Sequence, residues 1–240
     1  MEIFVIFVSG IAIFIIIVTA IRHTQKKKAE QNRLLREFGF VALKSNDPAL
    51  EERIESLTSP RVKSIRILNV YRLDRGDGMV YIFDLYTGGN NSSTRKSIAI
   101  ISDFLRLPRF SLYPKINFAG FIGNALNKMI KYIVSRNLQE IIPDKNPEFM
   151  KKYQLFGNDT ASVQKIFSGN LPRRILEKNH LYHIEAEGDS ILFSKLNPEN
   201  RQNYYHLDRE SLQSIIDDSR MLVRTLQEPG LKTDQKPAIF

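Results

Sequence analysis

A chain of 240 residues that is 42% hydrophobic and 25% charged has room for one well-cored domain, and it is neither a disordered tail nor a polytopic membrane protein. With no cysteine it lacks a disulfide framework, a thiolate nucleophile and a cysteine-type zinc site. Lys and Arg number 35 against 26 Asp and Glu, and the resulting +9 predicts attraction to an anionic surface.

From Ile3 to Ile21 the chain is apolar except for Ser9, Gly10 and Thr19, and it carries no charge. At ~1.5 Å per residue a helix of this length matches the ~30 Å hydrocarbon core of a bilayer. Met1-Glu2 is not the positive start of a cleaved signal peptide, so residues 1–23 are expected to stay as a transmembrane anchor. Behind the run stand Arg22, His23, Lys26, Lys27 and Lys28, whereas the opposite flank offers only Glu2 and the terminal amine. The positive-inside rule then predicts a single-pass protein of the cell (inner) membrane, with its N-terminus outside and the C-terminal domain cytoplasmic. Arg22, Lys26, Lys27 and Lys28 are the candidate membrane-surface residues. Each can draw an anionic lipid headgroup with roughly 1 kcal/mol, but the preferred reading is a stop-transfer flank without lipid selectivity.

Residues 24–45 are expected to form a juxtamembrane stalk, helical through TQKKKAEQNRLLRE and ended at Gly39. An α+β domain follows over 46–228, with a flexible tail over 229–240. Asn46-Asp47-Pro48 reads as a cap and first turn of a helix reaching about Ser59 and stopped by Pro60. Val62 to Thr87 alternates with period two around Arg75-Gly76-Asp77-Gly78, which predicts a hairpin. After the polar turn 88–94, Lys96 to Ile101 and Arg109 to Tyr113 read as further strands.

Phe121 to Val134 has the spacing of a core-facing helix, and Thr160 to Phe167 and Leu171 to Glu177 read as two short helices broken at Ser168-Gly169-Asn170. A second hairpin is expected from Tyr182 to Leu196 around Glu187-Gly188-Asp189, and Asp208 to Leu226 as the last helix. Strands joined mostly by hairpins make an antiparallel sheet with packed amphipathic helices.

The chemical motifs are sparse. Neither phosphate-binding glycine pattern is present, and Gly120 with Gly123 at a helix start serves packing more often than anion binding. His180 and His183 stand three apart at a helix-to-strand junction, where their side chains diverge, and no carboxylate stands at ligand spacing. No metal, cofactor or catalytic residue is therefore assigned. Glu51-Glu52 and Asp217-Asp218 read as solvated pairs on exposed helix faces. Arg75-Gly76-Asp77 and the sequons at Asn90, Asn91 and Asn158 matter only on the outer side of a membrane. Arg61, Lys63, Arg66, Lys128, Lys131, Arg173 and Arg174 are interleaved with acids, without the aromatic string of an RNA-binding sheet, so nucleic-acid binding rests on net charge alone.

One stretch carries a resemblance. Arg109-Phe110-Ser111-Leu112-Tyr113-Pro114, then Asn146-Pro147-Glu148-Phe149 through Tyr153, Leu155, Gly157 and Asp159, then Val163, Ile166-Phe167 and Glu187-Gly188-Asp189-Ser190-Ile191-Leu192, share a spacing. It resembles a family of bacterial membrane-anchored proteins with F-x-L-x-P and P-E-F-x-x-x-Y-x-L-x-G-x-D motifs and no assigned activity. The chain departs from that pattern at Glu140-Ile141-Ile142-Pro143, where relatives carry D-I-D-F. The resemblance implies no activity and no site. From the residues themselves, Phe149, Tyr153 and Leu155 are expected in the core, with Gly157 and Asp159 as turn and helix cap.

The expectation is a membrane-tethered cytoplasmic interaction or regulatory domain, with a non-enzymatic role preferred to an enzymatic one, whose partners are the lipid bilayer, anionic headgroups and a protein. The alternatives are an anchored enzyme with a scattered site and recruitment of nucleic acid to the membrane.

Overall fold

The computed structural model describes residues 25–43, 47–58, 65–88, 93–115, 138–143, 146–197 and 207–227, with single positions at 18, 19, 22, 23, 128, 131, 132 and 134. Helix α1 (25–37) ends in a paired backbone closure, Phe40 N–H to Leu35 C=O at 2.9 Å and Gly39 N–H to Arg36 C=O at 2.9 Å. Gly39 takes the φ of +84° that this closure requires. Leu35 and Phe40 are both fully buried in the main core. The stalk expected over 24–45 is therefore in large part the first element of the domain, because a helix end capped by its own apolar pair needs a core to receive that pair.

Helix α2 (Pro48–Leu57) starts as the sequence predicts: Asp47 Oδ1 accepts from Leu50 N–H at 3.2 Å and Pro48 occupies the first turn. Its inner face presents Leu50, Ile54 and Leu57.

Nine antiparallel strands form one sheet among the described residues, in the order β1-β2-β3-β4-β9-β8-β5-β7-β6. They are β1 (Val41–Ala42), β2 (Ile65–Arg75), β3 (Gly78–Thr87), β4 (Ser93–Ile101), β5 (Leu107–Pro114), β6 (Gln139–Ile141), β7 (Tyr153–Gly157), β8 (Leu181–Gly188) and β9 (Ser190–Leu196). Both predicted hairpins form. Gly78 closes the first with φ +138°, and a Cβ there would lie 2.5 Å from the Ile101 carbonyl oxygen. β4 pairs with β9 and β5 with β8, and these non-local ladders join the two hairpins into one sheet.

The first face carries Ile82, Ile98, Phe110, Leu112, Tyr182 and Phe193. It is covered by α1, α3 (Pro147–Lys152), α4 (Thr160–Phe167), α5 (Leu171–Leu176) and α6 (Arg209–Gln227). Phe149, Tyr153 and Leu155 are buried there as expected, and Asp159 caps α4 by accepting from Ser162 N–H at 3.1 Å.

The second face packs Ile67, Phe83, Ala99 and Leu192 under α2, and Arg109 fastens that helix by donating to the Ser56 and Leu57 carbonyls. A smaller cluster of Val134, Leu138 and Phe156 lies on the same face. The helix expected over Phe121 to Val134 lies mostly outside the described residues, and 128, 131, 132 and 134 are helical. Among the described residues no helix is long and apolar enough to cross a membrane. The run from Ile3 to Ile21 lies outside them except for Val18 and Thr19.

Candidate functional site

Two polar regions rise above the apolar frame, one at the start of α6 and one on the second face of the sheet. Asp208 caps α6 by accepting from Ser211 N–H at 2.8 Å. There α6 meets α1: the Arg209 guanidinium donates to Glu37 at 2.7 Å and lies over the Phe38 ring at 5.5 Å. Tyr71 OH reaches back from β2 to Asn32 Oδ1 at 2.5 Å. These contacts and Leu35 leave a cleft of about 570 Å³ between α1 and α6, lined by Lys27, Gln31, Leu34, Leu207, Asp208 and Arg209.

Beside it opens a second cleft of about 370 Å³, lined among others by Lys178, His180, Lys195, Ser211 and Ser214. Its floor is an ion cluster built around Asp218, which is fully buried on α6. Lys195 Nζ lies 2.6 Å from Oδ2, Lys178 Nζ 2.9 Å from Oδ1 and His180 Nε2 3.4 Å from Oδ2. Lys195 also donates to Ser214 Oγ at 2.5 Å. Burial pushes the Asp218 carboxyl up, but the His180 contact and the Lys195 charge outweigh it and hold the group well below the usual carboxylate range. Burial lowers both His180 and Lys195, against the pull of Asp218. The one carboxylate holds both ammonium groups across short distances, which fixes α6 against β9, leaves Lys178 at the cleft edge and leaves the cluster with a net positive charge.

The second region is a row across five strands. Ile98 pairs with Phe193 and Leu112 with Ile184, so one position further along Ser97, Ser194, His183, Tyr113 and Gln154 stand side by side. Arg95 and Glu185 flank that row. Arg95 Nη1 lies 3.0 Å from His183 Nδ1. A guanidinium only donates, so Nδ1 accepts and the ring proton sits on Nε2, 3.4 Å from Glu185 Oε1. Tyr113 OH donates to the same carboxylate oxygen at 2.9 Å, and its ring lies 4.4 Å from that of His183. Burial lowers His183, keeping it neutral near pH 7. Burial also raises the Glu185 carboxyl, but the His183 and Tyr113 contacts and Arg95 bring it below its ordinary value. Tyr113 is pushed well up by burial and then by Glu185.

Of the predicted membrane-surface residues, Lys26, Lys27 and Lys28 are exposed on the first turns of α1 and Arg22 is exposed at a helical position before it, and Lys27 also lines the first cleft. Asp217-Asp218 is a correction: Asp217 is on the surface, while Asp218 is buried on the stripe with Ile215, Ser219 and Leu222. Its spacing of three and four from Ile215 and Leu222 was the available signal. Glu51 likewise leaves the solvent enough to accept from Ile67 N–H at 3.3 Å.

His180 and His183 diverge as expected, one to each face of the sheet, yet each has a carboxylate beside it. For His183 the partner is two residues on, because alternate strand residues share a face. Arg75 and Asp77 pair with each other inside their turn. Lys131 pairs with Glu140 and Arg173 with Glu177, while Arg61 and Lys63 lie outside the described residues. No group of three or more His, Asp or Glu among the described residues is placed to hold a metal.

No protein-family model matches the chain, and no curated protein matches it by sequence. A solved structure similar to it is the crystal structure of the mycobacterial trehalose monomycolate transport factor A, TtfA. The two share 11% identity over 86% of this chain and 96% of that one, with a TM-score of 0.51. At that identity the likeness is one of fold.

Proposed function

We propose that this protein is a membrane-tethered accessory domain that works by contact, holding the α1/α6 cleft against the inner surface of the bilayer for a protein partner. The observation that carries the reading is the docking of α1. The helix that follows the apolar run and carries Lys26, Lys27 and Lys28 is seated in the core through Leu35 and tied to α6 through Glu37 and Arg209. From Lys28 to Leu35 is only about 10 Å along a helix. A domain joined to its anchor this way keeps a fixed height and tilt at the membrane, which suits presentation of a surface more than reach for diffusing substrates.

The mycobacterial transport factor TtfA has a similar fold, so a supporting role beside a transport system is compatible with it. The family resemblance over residues 107–195 belongs to the same reading. Enzymatic action remains the rival, with the Lys178, His180 and Lys195 cleft as its place.

Fractionation with protease protection tests the proposal. The full chain is expected in the membrane pellet after alkaline extraction, cut in inverted vesicles and protected in intact cells. The 24–240 fragment is expected in the soluble fraction. A full chain released by alkali, or digested from outside intact cells, overturns the tether or its orientation.

A further inference from the structure

The two rims of the sheet differ in how their cations are matched. Pro114 at the end of β5 pairs with Tyr153 at the start of β7, and Leu181 at the start of β8 pairs with Leu196 at the end of β9, so these strand ends share one rim. α3 runs into β7 there, and Lys115 ties β5 to it: its N–H donates to the Lys152 carbonyl at 2.7 Å and its ammonium to the Met150 carbonyl at 2.5 Å. α5 packs against α3 and leads through Lys178 into β8. Residues 115, 146–152 and 170–178 thus bring Lys115, Lys151, Lys152, Arg173, Arg174 and Lys178 to one rim, with Glu148 and Glu177 as their only acids. The Lys151–Glu148 and Arg173–Glu177 pairs are open to water on both sides, so each holds its cation weakly. The neighbouring start of α6 adds Asp208 and Glu210 against Arg209, so the positive charge is centred on α3 and α5. At the opposite rim, by contrast, Arg75 is joined to Asp77, Arg53 to Asp189 and Arg109 to Glu187.

We propose that the α3/α5 rim is a second membrane contact, laid on anionic headgroups of the leaflet beside the anchor. The inference rests on the tether proposed above and names a surface that the tether does not. Two observations select a lipid surface. The rim adjoins the anchor helix: Lys27 and Arg209 line one cleft, and Arg209 and Lys178 line the next hollow with Phe38. The cations also come from three separate segments and spread along the rim, an arrangement that meets several headgroups and does not converge on one phosphate. Basic side chains within a Debye length of an anionic leaflet, ~8 Å at physiological salt, are drawn by its potential. A domain already held at that surface gives up little further freedom when the rim touches it. With the rim on the headgroups, the β2–β3 turn stands at the far end of the domain.

Because the chain has no cysteine, a single introduced one can carry a fluorescent label that tests the contact. Asn170→Cys puts the label on the rim, at an exposed position whose side chain makes no cap hydrogen bond. Gly76→Cys puts it in the β2–β3 turn, where an added Cβ meets nothing within 4 Å. The full chain is reconstituted in vesicles of phosphatidylcholine alone and of equal parts phosphatidylcholine and phosphatidylglycerol, both holding a lipid with a nitroxide quencher on its headgroup. The label at 170 is expected to lose fluorescence in the charged vesicles, to lose less in the neutral ones and to recover as salt rises. The label at 76 is expected to stay bright in both. Lys151→Gln, Lys152→Gln and Arg173→Gln together are expected to abolish the difference between the vesicles, with circular dichroism reporting the fold; if that variant does not fold, the salt series decides alone. Equal quenching at both positions, quenching at 170 indifferent to phosphatidylglycerol and salt, or quenching that survives the folded triple variant overturns the contact. Flotation with the neutral vesicles reports the anchor by itself. A chain that floats while both labels stay bright overturns the rim contact, leaves the tether standing and assigns the rim to an acidic protein, whereas a chain that does not float overturns the tether and the rim contact with it.

Discussion

The two faces of the sheet bury charge in different ways. On the first face Asp218 draws Lys178 and Lys195 onto its two oxygens, with His180 close by, and the cluster clamps the last helix to β9. On the second face Arg95, His183, Glu185 and Tyr113 make three close approaches, and Arg95 Nε, Glu185 Oε2, Ser97 Oγ and Gln154 Oε1 are buried beside them without a hydrogen bond. Buried polar groups that are matched locate an element, whereas buried groups left unmatched are costly.

The comparison is broken most severely at Asp218. Replacing it with Ala strands Lys195 in the core, and urea unfolding should report a loss of about 3–5 kcal/mol. Leu35→Ala on the same face should cost about 3 kcal/mol by leaving a cavity, whereas Arg33→Ala, which breaks only an exposed pair with Glu37, should cost well under ~1 kcal/mol. A free stalk would give the two variants equal stability in the same unfolding assay.

On the second face Glu185→Leu should cost about 2 kcal/mol, because Tyr113 OH loses its acceptor. Adding Tyr113→Phe should return part of that loss in a double-mutant cycle. Asp47→Ala, which uncaps α2, should cost ~1 kcal/mol and leave the α6 face unchanged by hydrogen exchange.

The gentlest probe is pH. His180 and His183 both titrate below their ordinary value when folded, so the unfolded chain takes up protons first. Stability should be level near neutrality and fall as pH drops below about 6.5. It should fall less in His183→Asn, and denaturation midpoints across that window measure it.

Much of the frame was legible locally. Asp47 and Pro48 open a helix, Gly39 ends one, and Gly78 and Gly188 turn the two hairpins, each because the backbone there needs a donor removed, an acceptor supplied or a positive φ. The sites were far less legible. Asp218 looked solvated beside Asp217, and His183 looked partnerless because its carboxylate stands at strand spacing and Arg95 comes from a strand far away in sequence.

From the sequence alone came the α+β class, both hairpins, the caps, the apolar N-terminal run and its basic flank, since each depends on residues within a turn or two of one another. Tertiary structure alone decided that the expected stalk is seated through Leu35, that β4 meets β9 and β5 meets β8, and which charges are buried. The reason is physical: burial and pairing are set by whichever distant strand or helix supplies the neighbour, and no local pattern in the chain encodes that distance.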